Sequence, residues 1–410
     1  MLYNRHAMTK IRLFIFFSTL IIVSIIGYVV SLYARGYRIG KDSLKLSPNG
    51  LMVIKSDPDG AQIYINGELK IATNASLTLP PATYDIIVRK EGYLTWNKRL
   101  TIKKEEVTEV TAHLFKSVPS LTALTFLGAS NPAPSDDMGK IGYIVPPTDT
   151  NSGEDKSGLW VLETVDLPIG FTREPKKITD GDLTNSSWFW SPDGREILLM
   201  QSIATFLLPV SDYTPQNKRT NINNQKDTIL KLWENERQIK LSSKLKKLPI
   251  DLESILERKA KTIVFSPDED MVLYTASGSA QIPDNLIKPL PGASTQKEER
   301  TIKVDKTYVY DIKEDRNFLV DENSNELIIG GGNIDGAKRR LMWFPTSRHL
   351  ILAEESKVTI MDYDGTNRQE VYGGNYISPH AYPIVTTNRI LLLTNLASGA
   401  TTNLYILSLK

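Results

Sequence analysis

One run of apolar residues constrains this chain more than any other feature. Leu13 to Leu32 reads LFIFFSTLIIVSIIGYVVSL and contains no charged residue. At 1.5 Å of rise per residue, a helix of about twenty residues spans about 30 Å, the thickness of the hydrocarbon core of a bilayer. Tyr28 and Tyr33 near its end suit the aromatic belt of a membrane interface. The run therefore predicts a transmembrane helix over residues 13–33, which contacts the lipid bilayer through Leu13–Leu32.

The alternative interpretation of this run is a secretory signal peptide that is removed. The run is longer than the apolar region of an ordinary signal peptide, and the SLYARGY that follows is bulky where a cleavage site needs small residues. We therefore expect a signal anchor, with residues 1–12 as a cytoplasmic tail. Charge does not decide its orientation, because three basic residues flank each end. These are Arg5, Lys10 and Arg12 before the run, and Arg35, Arg38 and Lys41 after it.

The net charge of +2 is unevenly distributed along the chain. Residues 1–41 hold six Lys/Arg and no Asp or Glu, so residues 42–410 hold 49 − 6 = 43 basic residues against 47 acidic ones. A body with a slight acidic excess has no bulk attraction for phosphate backbones, and we expect no nucleic-acid binding. The absence of cysteine excludes disulfides, thiolate metal sites and a cysteine nucleophile.

Between residues 50 and 115 the hydrophobic period is two, which predicts β-strands. In SDPDGAQIYINGE, which starts at residue 56, Ala61, Ile63 and Ile65 point to one face between a Pro-Asp-Gly turn and an Asn-Gly turn. Asn-Gly is typical of a type I′ hairpin turn, because both central residues need positive φ. The three carboxylates of the segment lie in or beside turns, and we interpret them as structural.

A second unit, LTLPPATYDIIVRKEGYLTW, repeats this plan, and KRLTIKK and EVTEVTAHLF predict two further strands. Together with SDPDGAQIYING, these segments resemble the PEGA domain, a small β-sandwich module of prokaryotic surface and membrane proteins. Two residues depart from the family pattern: Asp59 stands where the domain has Glu, and Ala82 stands where it usually has Gly. The resemblance implies a non-catalytic surface module over residues 50–115, after a juxtamembrane linker at 34–49.

After Lys116 four segments share another plan: an apolar strand, a turn rich in Ser, Pro, Asp or Gly, and a second apolar strand. These segments are residues 131–145, 186–200, 260–276 and 339–354. Repeats of this kind with insertions predict a β-propeller, in which each unit is a four-stranded blade. With SPDG as the clearest turn, residues 116–410 resemble TolB-like and WD-type propellers. We count four blades and a partial fifth or sixth, and expect the strand around 121–126 to close the ring onto the last blade.

One insertion breaks the β pattern. Residues 225–261 have helical spacing, and Pro249 is placed to open a second helix. We interpret this segment as a helical hairpin packed on the propeller edge by its apolar stripe. The alternative is a basic surface for acidic polymer or lipid headgroups, carried by Lys244, Lys246 and Lys247.

No catalytic, cofactor-binding or metal-binding residue is predicted. The sequence contains no G-x-S-x-G, no H-E-x-x-H and no P-loop. Its histidines have no metal-ligand spacing. They are His6, His113, His349 and His380.

Several segments that superficially suggest a site have structural interpretations. IIGGGNIDG at 328–336 and PLPGASTQKEER at 289–300 are predicted to be loops, the second one flexible. DYDGTN at 362–367 is too short for an EF-hand and is predicted to be a blade hairpin turn. Trp188 and Trp190 alternate along a strand, and we interpret them as blade core rather than as a platform for sugars.

These features predict an all-β chain with one N-terminal transmembrane helix, a PEGA β-sandwich, and a β-propeller that carries a helical insertion. This order resembles that of bacterial envelope proteins. We expect a single-pass membrane protein with most of the chain extracytoplasmic, a non-catalytic binding or scaffold module for cell-wall polysaccharide or envelope proteins. Two alternatives stay open: an extracytoplasmic propeller hydrolase or lyase that uses paired carboxylates, and a membrane-tethered adaptor that faces the cytoplasm.

Overall fold

The computed structural model forms two compact units. One contains residues 1–90, 95–113 and 291–295, and the other contains 91–94, 114–290 and 296–410. The residues that the structure describes are 4–40, 43–147, 156–164, 174–288, 294, 296–332, 338–385, 388–396 and 401–410.

The chain begins with helix α1, Asn4–Ala34. Its segment Arg12–Ala34 has a mean hydropathy of 2.6, and none of it is buried within the protein. Among the described residues this is the one helix long and apolar enough to cross a bilayer, a property that membrane anchors share with signal sequences. Two short antiparallel strands follow, β1 (Arg38–Gly40) and β2 (Ser43–Ser47), within the stretch predicted as a linker.

The next seven strands form a sandwich of two sheets. They are β3 (Gly50–Asp57), β4 (Gln62–Ile65), β5 (Glu68–Ala72), β6 (Ala75–Leu79), β7 (Ala82–Arg89), β8 (Trp96–Ile102) and β9 (Val107–His113). One sheet has the order β6-β3-β9, with β3 and β9 parallel, and the other has the antiparallel order β5-β4-β7-β8.

The predicted alternation in this sandwich is confirmed. Ala61, Ile63 and Ile65 are buried on one face. The Asn66-Gly67 turn joins β4 to β5, with φ of 49° and 85°, so both residues adopt the left-handed conformation of a type I′ turn. Ala82, the residue in the usual glycine position, begins β7 without a positive φ. An alanine therefore fits this turn without backbone strain.

The second unit is built from five sheets, which we name blades 1 to 5. Blade 1 is β11 (Ser130–Pro134), β12 (Lys140–Val145), β13 (Gly158–Glu163) and β14 (Lys176–Asp180). Blade 2 is β15 (Ser187–Trp190), β16 (Glu196–Met200) and β17 (Thr205–Pro209). Blade 3 is β18 (Ala260–Phe265), β19 (Met271–Ala276), β22 (Thr307–Asp311) and β23 (Arg316–Asp321).

Blades 4 and 5 complete the set. Blade 4 is β24 (Leu327–Ile329), β25 (Arg339–Trp343), β26 (His349–Glu354), β27 (Lys357–Asp362) and β28 (Gln369–Gly373). Blade 5 is β29 (Ala381–Pro383), β30 (Arg389–Thr394), β31 (Asn403–Ser408) and β10 (Ser120–Ala123). A separate two-stranded sheet, β20 (Ala280–Gln281) with β21 (Thr301–Ile302), lies between β19 and β22 in the chain.

The ring is closed by strands from its two ends. β10 pairs antiparallel with β31, so the strand predicted around residues 121–126 does close the propeller onto its last blade. Separate apolar cores fill the interfaces between blades 1 and 2, 3 and 4, 4 and 5, and 5 and 1. At these four interfaces the repeated β units bury one face of a blade against the next, which is the packing of a β-propeller.

The same backbone hydrogen bond closes the turn between the first two antiparallel strands of every blade, which are β25 and β26 in blade 4. The backbone N–H of the first turn residue donates to the carbonyl oxygen five residues later, at 2.8 to 3.0 Å. These pairs are Ser135 to Lys140, Ser191 to Glu196, Ser266 to Met271, Phe344 to His349 and Ile384 to Arg389. The fourth residue has φ of 60° to 64° in blades 1 to 4, although only blade 2 places a glycine, Gly194, there. The degraded SPDG repeats therefore keep one turn geometry.

The helical insertion lies between blades 2 and 3 in the chain. Two 3₁₀ turns, Gln216–Lys218 and Asn223–Gln225, lead into α2 (Lys226–Leu245), and α3 (Ile250–Lys259) follows. Its apolar residues pack on blade 3, as members of one core with Tyr274, Tyr308 and Tyr310. They are Leu245, Leu248, Leu252 and Leu256. The predicted hairpin is therefore present, but it covers a blade face rather than the propeller edge.

One loop prediction needs correction. Leu327–Ile329 is strand β24, which runs parallel to β25 on the inner side of blade 4, so IIGGGNIDG is not a loop throughout. Its residues 333–337 lie outside the described residues. In the segment predicted to be a flexible loop at 289–300, Ser294 is only 2% exposed, and 289–293 and 295 lie outside the described residues.

Candidate functional site

An axial cavity of about 890 Å³ is the candidate site of the propeller. The first strand of blades 1, 2, 3 and 5 contributes to its wall, as does β25 in blade 4. Five prolines, one from each blade, line this cavity. They are Pro134, Pro192, Pro267, Pro345 and Pro383. Because every blade contributes, the cavity follows the axis of the ring.

Tryptophans join neighbouring blades in the cavity wall. Trp190, directly before the blade 2 turn, donates its indole N–H to the carbonyl oxygen of Ala133 in blade 1 at 3.0 Å. Trp343 makes the equivalent bond from blade 4 to Val264 in blade 3, also at 3.0 Å. Trp188 and Trp190 are each 4% exposed and pack edge to face, which confirms them as blade core.

Helix α2 lies at the end of the cavity where the first turns of the blades are. Arg237 forms an ion pair with Asp136 of blade 1, with 2.7 Å between Nε and Oδ2, and donates to the carbonyl oxygen of Trp190 at 2.8 Å. Lys240 donates to the carbonyl oxygen of Pro192 at 3.2 Å. The helix thereby contacts blades 1 and 2 through polar bonds.

The blade 3 end of α2 is also held by charge. Lys244 and Lys247 both pair with Glu269 in the blade 3 turn, at 3.1 and 2.9 Å. Their salt bridges draw the pKa of Glu269 below its ordinary value, with burial opposing. Two of the three lysines suggested as a polymer-binding or lipid-binding surface therefore have a partner within the propeller.

The remaining charged groups of the cavity are part of the turns and of α2. Asp137 accepts from the hydroxyl of Ser135 at 2.5 Å and from the N–H of Gly139 at 2.9 Å. Glu234 accepts from Gln238 one helical turn away. These charged groups thus stabilise the cavity wall and helix α2.

A buried polar cluster between blades 4, 5 and 1 was not foreseen from the sequence. Arg340 is 1% exposed, donates to the carbonyl oxygens of Gly330 and Gly332, and lies 5.1 Å from the ring centre of Tyr382. The hydroxyl of Tyr382 donates to the carbonyl oxygen of Pro132 at 2.7 Å. Only the interruption of an apolar strand by Arg-Arg at 339–340 could have signalled it. The cluster fixes the glycine segment that lines the cavity.

His380 belongs to the same cluster. Its Nδ1 lies 2.9 Å from the Tyr382 hydroxyl. Burial, reinforced by the Arg340 cation, lowers the pKa of His380 to about 4, and burial raises the pKa of Tyr382 to about 12. Both side chains are therefore neutral at pH 7, which suits a buried structural group.

The other histidines and acidic motifs have local roles. His349 lies beside Thr346 and Asp362 in blade 4, and His113 lies 3.8 Å from Asp57 in the sandwich. In DYDGTN the Asp364 carboxylate accepts from the N–H and the hydroxyl of Thr366, inside the turn between β27 and β28. Among the described residues no group of three or more His, Asp or Glu side chains could hold a metal ion.

Residues 49–117 match the PEGA domain family. This segment is a PEGA domain. The PEGA domain thus covers the sandwich, including the Asp59 and Ala82 departures noted in the sequence. No curated protein matches the chain significantly.

Solved structures similar to the chain include propeller proteins. The Cps50 (Swd1) β-propeller domain of Myceliophteria thermophila is 11% identical with a TM-score of 0.31, over 71% of this chain and 100% of that one. TolB from Acinetobacter baumannii is 13% identical with a TM-score of 0.18, over 80% and 59%. Porphyromonas gingivalis dipeptidyl peptidase 4 is 8% identical with a TM-score of 0.21, over 79% and 43%. The order and pairing of the sheets define the propeller.

Proposed function

We propose that this protein is a membrane-anchored binding module. Helix α1 holds it in the cell membrane, the PEGA domain and the propeller lie outside the cytoplasm, and the axial cavity receives part of an envelope protein. The binding is non-catalytic. PEGA domains are surface modules, which supports the extracytoplasmic side.

The observation that carries the proposal is that the charged side chains around the cavity are paired within the protein. Arg237, Asp136, Lys244 and Asp137 each have a partner in the turns or the helix, at 2.5 to 3.1 Å. A catalytic acid or base must be available to a substrate proton, whereas these groups are committed to holding the wall. A wall of proline and aromatic side chains, with the charged groups around it paired to one another, is typical of a binding cavity.

The wall favours polypeptide over glycan as the ligand. Sugar-binding platforms present the open face of an aromatic ring, but Trp188 and Trp190 pack edge to face and are both buried. Proline and aromatic side chains that line a cleft suit a segment of polypeptide. Cell-wall polysaccharide remains the competing ligand in the test below.

The side of the membrane is tested by cysteine labelling in the full chain, which has no thiol of its own. Ser202, exposed in the turn between β16 and β17, is a better position than the buried Ser294. In Ser202→Cys we expect a membrane-impermeant maleimide to label intact cells as well as lysed cells, and in Thr9→Cys to label lysed cells only. The reverse pattern would replace the envelope module by a cytoplasmic adaptor.

Ligand binding is tested by placing a photo-crosslinking amino acid in the full chain in living cells. At Val385, which lines the cavity and is 38% exposed, we expect a discrete protein adduct. At Ile203, which is 88% exposed and outside the cavity lining, we expect none. Adducts with glycan would reassign the ligand. Equal adducts at both positions, or none at Val385, would contradict the use of the cavity.

A further inference from the structure

Helix α2 occupies the cavity end as a ligand would. Its residues Glu234, Arg237, Lys240, Leu241 and Lys244 line the cavity, and their spacing places them on one face of the helix. The cations of this face are bound by groups of the ring: the Asp136 carboxylate in blade 1, backbone carbonyls in blade 2, and Glu269 in blade 3. The ring end is therefore an acceptor site matched to a basic helix.

The two ends of the hairpin are held by different forces. Leu245, Leu248, Leu252 and Leu256, at most 6% exposed, anchor its base in the core of blade 3. In the twenty residues of α2 itself only Trp233 and Leu245 are buried. The part before Leu245 is thus held by the buried Trp233, by the partly buried Leu241, by Lys244, whose Nζ lies 5.7 Å from the Phe265 ring centre, and by polar bonds.

Those polar bonds are accessible to water. The side chains of Arg237 and Asp136 are 34% and 41% exposed, and those of Lys244 and Glu269 are both 39% exposed. Ion pairs of this exposure stabilise by little and are screened by salt. Segments with few buried apolar contacts open at lower free energy than the core they lie on.

We infer that α2 is a releasable gate at this end of the axial cavity, and that a Lys/Arg-bearing amphipathic helix of a partner protein takes its place. This inference rests on the proposed function, because it names the kind of polypeptide that the cavity end accepts. Release leaves Asp136, Glu269 and the carbonyls of Trp190 and Pro192 facing the entering helix. The partner must supply cations at the spacing of Arg237, Lys240 and Lys244, which is three and four residues.

The gate is tested by hydrogen–deuterium exchange of the full chain in detergent micelles. We expect amides of residues 228–240 to exchange faster than those of 252–259, and more so at high salt. Asp136→Asn removes one exposed ion pair, so it should speed amide exchange in residues 228–240 by about two- to fivefold. The exchange of residues 252–259 should stay unchanged. The control Asp212→Asn, whose carboxylate contacts Ser211, has no effect. A common rate for both segments in every sample would overturn the gate.

The partner class is tested with a labelled synthetic peptide of residues 226–245. We expect it to bind the Arg237→Gln/Lys240→Gln chain at least about threefold more tightly than the unaltered chain. Adding Asp136→Asn and Glu269→Gln abolishes that gain. A peptide with Gln at positions 237, 240 and 244 serves as control, and equal binding of both peptides would overturn the partner class. These measurements use purified protein, so their failure is distinguishable from failure of the labelling and crosslinking in cells.

Discussion

Trp343 donates its indole N–H to the carbonyl oxygen of Val264, 3.0 Å away on the neighbouring blade. Trp190 makes the equivalent bond between blades 2 and 1, with the carbonyl oxygen of Ala133 as the acceptor. Both tryptophans directly precede the first turn of their blade, so the same residue position fixes blade 4 to blade 3 and blade 2 to blade 1. The cavity wall is consequently held together by hydrogen bonds between blades as well as by apolar packing.

Replacing Trp343 by Phe keeps an aromatic ring but removes this donor. We expect the free energy of unfolding to fall by about 1–3 kcal/mol, because the Val264 carbonyl loses its partner. The measurement is urea unfolding of the full chain in detergent. Trp160→Phe is the matched control: its indole bonds the nearby carbonyl of Lys156 at an exposed position, so water replaces it at little cost. Equal losses in the two variants would contradict the inter-blade role.

Ser191 connects the SPDG turn to its own aspartate. Its hydroxyl donates to Asp193 at 2.7 Å and accepts from the N–H of Glu196 at 2.9 Å. That hydrogen bond lowers the pKa of Asp193, with burial opposing. Because the folded pKa lies below the unfolded one, the unfolded state takes up the proton first, and the stability present at neutral pH is lost as the pH falls through the folded pKa.

We therefore expect Ser191→Ala to be less stable at pH 7 by about 1–2 kcal/mol and to lose less further stability on acidification below about pH 4. The measurement is the free energy of unfolding between pH 7 and pH 3. Ser202→Ala, at an exposed position away from the blade turns, provides the reference slope. A Ser191→Ala profile parallel to that of the unaltered chain would show that this bond does not set the pKa.

His380 gives a second pH dependence, in a different range. Its folded pKa of about 4 lies below the ordinary 6.5, so only the unfolded state is protonated between these values. Stability should be constant above about pH 6.5 and should fall by roughly 3 kcal/mol as the pH drops to about 4. His380→Asn should flatten the curve in this window. The same slope in the variant would assign the effect to other groups.

Gly142 of blade 1 lies directly against the Trp188 ring of blade 2. A Cβ there would lie 2.6 Å from the Trp188 ring, so Gly142→Ala should cost about 1–3 kcal/mol by overpacking. Gly332→Ala is the matched control, because a Cβ at that glycine meets nothing within 4 Å. Urea midpoints of the two variants make the comparison. Similar midpoints would mean that the interface shifts freely to accept a methyl group.

Local chemistry made much of the fold predictable. Period-two patterns and the Asn66-Gly67 turn specify strands and hairpins through neighbours in sequence, and SPDG specifies the blade turn in the same way. The turn was harder to recognise where Met138, Glu269 and Ser347 take the left-handed conformation without being glycine. The flanking strands hold the backbone at these positions, so the residue type there is a weaker indicator of the turn.

The candidate site was less predictable, because it depends on contacts between distant segments. The apolar stripe of the helical insertion indicates that a face is buried, but not that this face lies on blade 3. The ion pair of Arg237 with Asp136 joins positions that no local pattern relates. Arg340 reads as an ordinary strand residue until β24 places the Gly330 and Gly332 carbonyls beside it.

The pairing of β10 with β31 also sets the order in which the protein can mature. β10 leaves the ribosome before any other propeller strand, whereas its partner, Asn403–Ser408, is synthesised last. During that interval β10 is an open edge, the kind of surface that recruits chaperones or aggregates. All strands of the PEGA domain precede it, so that domain can finish folding first. Nascent chains should therefore carry a folded PEGA domain ahead of an open, protease-sensitive propeller until residue 408 has emerged.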